Sequence, residues 1–293
     1  DVAPSRGLGD VYKRQLMDGR VKQLQSSDVH GIIQRGGTIL RTARSEVFRT
    51  PEGQAKAMQL MTAYEMDALI VIGGDGSFHG AQALAELGMN VMGIPGTIDN
   101  DIGYTDFTIG FDTAVNNVMG EMEKIRDTMR SHDRVAVVEV MGRACGDIAL
   151  WSAMTAPADI VLTPESPRDW GEAASQLMHN KLMGRFTSMV IIAEGAGKAE
   201  DFAKFVQEHT DVEIKPVVLS YIQRGGAPTA ADRMLATRLG ARAVELIHEG
   251  VRNRALGIHD NHIVDVDIKD STAHNENYDQ SLYELHSKMN RIY

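Results

Sequence analysis

The chain holds a single cysteine, Cys145, among 293 residues, which excludes an internal disulfide and fits a reducing cytoplasm. A lone thiol of this kind is expected to pack rather than react. No apolar run reaches the ~18 residues that a membrane-spanning helix needs, and no charged-then-apolar leader opens the chain. The expectation is a soluble, cytoplasmic protein with no membrane partner. Cations are outnumbered, with 30 Lys and Arg against 40 Asp and Glu and a net charge of -10. Such a surface repels nucleic acid and anionic lipid, so any anionic substrate must be held by local arginines. Residues Asp1 to Gln15 have neither helical nor strand periodicity and are set aside as a non-native segment.

What is present is a regular alternation. An apolar content of 43% supplies a large core, and the length favours two domains. Short buried runs at Leu69–Ile72, Asn90–Ile94, Val135–Val140, Ile160–Leu162, Met189–Ala193 and Val217–Leu219 read as strands, and Arg35–Leu40 as a turn entering another. Helical stretches lie between them. Thr50 caps one running to about Asp67, and others span Ser77 to Leu87, Trp170 to Met183, Ala199 to Glu208, Thr229 to His248 and Gln280 to Met289. A long helix capped by Asp112 and Thr113 carries methionines at core spacing, and a further one starts near Asp147. Strands alternating with helices through short turns predict an α/β fold with mainly parallel sheets covered on both faces.

Two turns carry the chemistry. Gly73-Gly74-Asp75-Gly76-Ser77 and Gly93-Ile94-Pro95-Gly96-Thr97-Ile98-Asp99-Asn100-Asp101 each follow a buried run, and such strand ends bind ligands in open α/β sheets. Glycines let backbone N–H groups approach phosphates, and the helix beginning at Ser77 points its N-terminus at them. Aspartates repel phosphates unless a divalent cation or a transferable proton lies between. The combination suggests a metal-bound polyphosphate beside a general base. Arg41, Arg44 and Arg49 form either a solvated basic patch or a phosphate clamp. A calcium loop at Asp99 is rejected, because Tyr104 and Gly110 stand where that loop needs Gly and Glu. The H-x-x-H pair His259 and His262 lacks further ligands, and the two isolated Arg-Gly-Gly triplets are turn chemistry rather than RNA-binding repeats.

Read together with Met141-Gly142-Arg143, Glu194 and Gln223-Arg224-Gly225-Gly226, these motifs resemble bacterial-type ATP-dependent 6-phosphofructokinases over about Leu16 to Tyr293. The resemblance implies two Rossmann-like three-layer domains in a homotetramer. Residues 16–110 and 223–275 would bind nucleotide, and residues 111–222 and 276–293 sugar phosphate. It implies transfer of the γ-phosphoryl of Mg-ATP to the 1-hydroxyl of fructose 6-phosphate, giving fructose 1,6-bisphosphate and ADP in glycolysis. By position, Asp99 is the general base, Thr97 lies beside it, and Arg143 stabilises the transferring phosphoryl. Arg44, Ser45, Gly74, Asp75, Gly76 and Ser77 match nucleotide positions, while Asp75 and Asp101 match magnesium positions. Thr97, Asp99, Asp101, Met141, Gly142, Arg143, Glu194, Lys215, Tyr221 and Arg224 match sugar-phosphate positions, with Arg134 supplied to a neighbouring subunit.

The departures set further expectations. The family's first strand and glycine-rich phosphate loop would precede Leu16, and Asp1 to Gln15 do not resemble them, so an N-terminally truncated member that binds ATP poorly or not at all is expected. Lys215 and Tyr221 stand where the family has arginine and histidine; lysine keeps the charge without the bidentate fork. Arg126 and Arg185 match effector positions, but Ser26, Gly31 and Met183 do not, so regulation by ADP or phosphoenolpyruvate is not assumed. Pyrophosphate users carry Asp at the position of Gly76 and Lys at that of Gly96, so two glycines favour ATP. A catalytically silent regulatory subunit would have no need of Asp75, Asp99, Asp101 and Arg143 together.

Overall fold

A computed structural model describes residues 6–7, 21–42, 45–156, 158–272 and 278–290. In chain order the elements are β1 (Arg6–Gly7), β2 (Lys22–Gln23), α1 (Pro51–Ala63), β3 (Ala68–Gly73), α2 (Asp75–Glu86), β4 (Asn90–Pro95), α3 (Phe111–Ser131) and β5 (Val135–Val140). There follow α4 (Asp147–Thr155), β6 (Ile160–Leu162), α5 (Trp170–Leu182), β7 (Met189–Ala193), α6 (Ala199–His209), β8 (Ile214–Val218), α7 (Ala230–His248), β9 (Arg254–His259), β10 (His262–Asp267) and α8 (Gln280–Met289).

Two units result, Asp1–Thr97 with Ile102–Gly110 and Gly226–His274, and Ile98–Asp101 with Phe111–Gly225 and Asn275–Tyr293. Residues 98–101 and 223–225 thus belong to the second unit, whereas the sequence reading put them in the first. Within that unit Asn100 is bonded to Asp147, and Gln223 to the backbone of Met141.

The first unit has the sheet order β10-β9-β4-β3, parallel except for β10. Alternate strand residues bury on opposite faces: Leu69 and Val71 against Met61 and Phe78 of α1 and α2, Met92 and Ile94 against Leu235 and Leu239 of α7. In the second unit the order is β6-β7-β5-β8, all parallel. Ala136, Val138 and Val140 face α3 and α4, while Val135 and Val137 face α5 and α6. Each unit is therefore a three-layer α/β sandwich. Among the described residues no helix is long and apolar enough to cross a membrane.

Local chemistry sets most boundaries. Thr50 Oγ1 accepts from the Gly53 N–H at 3.1 Å and Pro51 opens α1, as the cap reading requires. That helix stops at Ala63 rather than Asp67, because Glu65 turns left-handed with φ 53°. Helix α2 starts at Asp75, two residues before the expected Ser77, and α3 starts at Phe111, so Asp112 lies in its first turn instead of capping it. Strand β8 begins three residues before Val217. Residues 35–42 are turns and not a strand: Ile39 is exposed, and Arg41 has φ 60°, which interrupts any extended run. The β9–β10 hairpin was not anticipated; its turn residues Asp260 and Asn261 have φ 49° and 62°, a geometry suited to a two-residue connection. Cys145 is buried, and burial pushes its thiol far up, a setting that suits packing.

Candidate active site

In the first unit, β3 and β4 run parallel with Gly73 opposite Pro95, so the two glycine turns leave the sheet side by side. The Gly96 N–H donates to the Gly73 carbonyl at 2.9 Å and ties them together. Gly74 has no room for a side chain at ordinary contact, since a Cβ there would lie 3.3 Å from Thr97 Cβ. Thr97 therefore stands beside the start of α2, where unsatisfied N–H groups favour anions. Asp75 is the first residue of α2, about half exposed, with its carboxylate 3.3 Å from His79. A Cβ on Gly76 would meet nothing within 4 Å, while Ser77 is buried.

The second unit carries the denser arrangement. Asp99 is only 4% exposed, and Arg143 Nε lies 3.4 Å from its Oδ2 while Nη1 lies 3.9 Å from Asp101 Oδ2. Burial and the neighbouring Asp101 push the Asp99 carboxyl above its ordinary range, against the pull of Arg143 and Arg224. Gly142 and Arg143 occupy left-handed backbone at φ 133° and 55°. Glu194, just past β7, holds that turn: its Oε1 accepts from the N–H groups of Gly142 at 3.2 Å and Arg143 at 2.9 Å. Gly195 permits the approach, because a Cβ there would sit 2.3 Å from the Arg143 carbonyl.

Two supports escaped the sequence reading. Gln223 is 1% exposed; its Oε1 accepts from Met141 N–H at 3.1 Å and its Nε2 donates to the Ser220 carbonyl at 3.1 Å. Asn117 on α3 donates to the carbonyls of Gln223 at 3.2 Å and Gly225 at 2.8 Å. Together they set the segment carrying Arg224, whose guanidinium lies 5.8 Å from the centre of the exposed Tyr221 ring. Gln223 stood inside a recognised motif, but nothing in the sequence marked Asn117.

Not every expected residue joins the cluster. Arg134 and Lys215 both pair with Glu213, at 2.8 and 3.2 Å, before β5 and at the start of β8. Met141 and Glu194 lie at the opposite, carboxyl end of the same sheet, roughly 20 Å away for a six-residue strand. Ser45 Oγ accepts from Phe48 N–H at 3.3 Å and shapes a local turn. Arg44 lies outside the described residues, and Arg49 pairs with Glu46 at the surface. Arg185 pairs with Asp159. His259 binds Asp106 at 2.8 Å on the hairpin, and no cluster of three or more His, Cys, Asp or Glu suited to a metal occurs among the described residues.

Residues 6–247 match the family described as phosphofructokinase. The chain belongs to the phosphofructokinase family. It is 51% identical over 270 residues to the ATP-dependent 6-phosphofructokinase of Clostridium tetani (strain Massachusetts / E88), covering 92% of this chain and 85% of that one. The enzyme of the same name from Clostridium botulinum (strain Loch Maree / Type A3) is 48% identical over the same extent. The structure of phosphofructokinase from Saccharomyces cerevisiae superposes with a TM-score of 0.83 at 32% identity, over 91% of this chain and 41% of that one. A pyrophosphate-dependent phosphofructokinase from Marinobacter aquaeolei shares the fold, with a TM-score of 0.76 at 20% identity, over 86% of this chain and 70% of that one. The α/β architecture read from the alternating pattern is thus the architecture of this family.

Proposed function

We propose that this family member transfers the γ-phosphoryl of Mg-ATP to the 1-hydroxyl of fructose 6-phosphate, giving fructose 1,6-bisphosphate and ADP in the cytoplasmic pathway of glycolysis. The observation that carries the proposal is buried Asp99 beside Arg143. A carboxyl with a raised proton affinity next to a partly exposed cation suits removal of a hydroxyl proton as negative charge builds on a phosphoryl group. Asp99 takes the proton, Arg143 turns from the aspartates to the phosphoryl oxygens, and Thr97 orients the approach. Glu194 keeps Arg143 in its strained turn throughout.

The first unit binds the nucleotide through Ser45, Gly74, Asp75, Gly76 and Ser77, with Arg44 beside them. Met141, Gly142, Glu194, Tyr221 and Arg224 of the second unit hold the sugar phosphate. Magnesium is ordinarily held by one or two carboxylates plus phosphates and water, a donor set that Asp75 and Asp101 suit. When bound, it would neutralise charge on the phosphates. Arg134 and Lys215, set at the far end of the second sheet, serve the sugar-phosphate site of a neighbouring copy in a homotetramer. Gly76 and Gly96, glycines where pyrophosphate users by resemblance carry Asp and Lys, support ATP over pyrophosphate.

A coupled assay for fructose 1,6-bisphosphate, run on the full-length protein with magnesium and either ATP or pyrophosphate, tests the reading. Product with ATP alone is expected. Product with pyrophosphate alone would overturn the donor assignment, and binding of fructose 6-phosphate without turnover on either donor would overturn the enzyme reading.

A further inference from the structure

We infer that Asp147 is a positioning residue, which acts through Asn100 to hold the Asp99–Asp101 loop from the protein interior so that both flanking aspartates face Arg143. The inference rests on the functional reading above for the roles of Asp99 and Asp101.

The loop is gripped from two sides by one short segment. Asn100 has φ 54°, a left-handed conformation that asparagine tolerates better than most residues. With the backbone turned there, Asp99 and Asp101 both reach Arg143, at 3.4 and 3.9 Å, while the Asn100 carboxamide donates to Asp147 Oδ2 at 2.9 Å. Asn100 and Asp147 are each 5% exposed, so this is a buried, charge-assisted hydrogen bond. The Cys145 thiol also lies 3.9 Å from the Asn100 carbonyl.

The anchor itself has little slack. Asp147 opens α4, directly after Gly146, whose N–H donates to Glu165 Oε1 at 2.7 Å. A Cβ on Gly146 would stand 2.5 Å from Glu165 Oε2 and 2.6 Å from Thr163 Cβ. The Cys145 N–H donates to the Gly142 carbonyl at 2.9 Å, which closes the turn between Arg143 and Asp147. Arg143 grips the loop from the exposed side and must loosen that grip when phosphoryl charge develops. Asp147 grips from the buried side and has no such second duty. Its contribution therefore persists through the chemical step, when the geometry of Asp99 matters most.

The test uses the full-length enzyme with Asp147→Ala, Asn100→Gly, the double variant and Asp147→Asn, each measured for kcat, for KM toward fructose 6-phosphate and for thermal unfolding. Asn100→Gly keeps access to the left-handed backbone and drops only the side chain. Each single truncation is expected to lower kcat about 10- to 100-fold with KM changed by less than about threefold. The double variant should fall within about twofold of the worse single, because both changes remove one interaction. Asp147→Asn retains an oxygen acceptor of the same shape and should recover most of kcat. An unchanged kcat in Asn100→Gly, multiplying losses in the double variant, or no recovery in Asp147→Asn would each overturn the assignment. If Asp147→Ala does not fold, Asn100→Gly and Asp147→Asn still decide. An inactive parent enzyme would sink the functional reading itself, whereas an active parent with unaltered variants sinks only this inference.

Discussion

The acidic turns that follow β3 and β4 begin from the same residue type at the same end of two parallel neighbouring strands, yet their chemistry diverges. Asp75 opens a helix, is about half exposed and lies beside His79. Asp99 is buried, faces Arg143 across 3.4 Å and has a carboxyl whose proton affinity burial and Asp101 raise. A solvated carboxylate is suited to meet a divalent cation that keeps part of its water shell. A desolvated one with a charged neighbour is suited to take and release a proton. Under the proposed function, the strand end sets where ligands would bind, and burial separates a carboxylate suited to ions from one suited to protons.

The comparison breaks most sharply on a pair of substitutions. Asp99→Ser is expected to lower kcat about 10²- to 10⁴-fold, the usual worth of a general base, with a much smaller change in fructose 6-phosphate affinity. Asp75→Asn should instead raise the half-saturating Mg-ATP concentration about 10- to 100-fold. Steady-state kinetics with each substrate varied would show the two signatures, and equal signatures would dissolve the contrast.

Buried acid also has a cost in stability, and Asp147 makes it measurable. Burial pushes its carboxyl from 3.8 up to about 6, with Glu165 adding to the rise and the Asn100 hydrogen bond opposing it. The folded chain thus binds this proton more tightly than the unfolded chain does. The resulting stabilisation is full below the unfolded value and is lost as pH rises through about 6. From this group alone, unfolding free energy should fall by about 2–3 kcal/mol between roughly pH 4 and pH 7. Asp147→Asn, which cannot titrate, should flatten that portion of a urea-denaturation pH series.

The smallest effects separate a tight turn from an open one. Gly146→Ala forces a Cβ to within 2.5 Å of Glu165 and should cost about 1–3 kcal/mol. Gly76→Ala meets nothing within 4 Å and should change stability by less than about 0.5 kcal/mol. Denaturation midpoints of the two variants would expose a reversed order at once.

Much of this is legible in the sequence. The strand Val135–Val140 and the body of the helix Phe111–Ser131 follow directly from their apolar patterns, and Thr50 caps its helix as serine-like side chains do. The hairpin Arg254–Asp267 was missed because its strands mix polar and apolar residues, so the hydrophobic period is weak and the Asp260-Asn261 turn went unread. At the site, the motif residues Asp99, Arg143 and Glu194 were named from pattern and resemblance. Asn117 and the interior bond from Asn100 to Asp147 were not, since neither lies at a conspicuous spacing.

The sequence by itself determined the alternating α/β plan, the glycine turns at strand ends and the stock of acidic and basic residues, because these depend on side chains within a few positions of one another. Only the tertiary structure decided which aspartate is buried, how Asn100 turns inward and where Arg134 and Lys215 sit in the second unit. Those outcomes depend on partners 47, 52 or 82 positions away, as in Asn100 with Asp147, Gly142 with Glu194 and Met141 with Gln223. Desolvation and hydrogen bonding act through space, and proximity in space is set only when the sheets assemble.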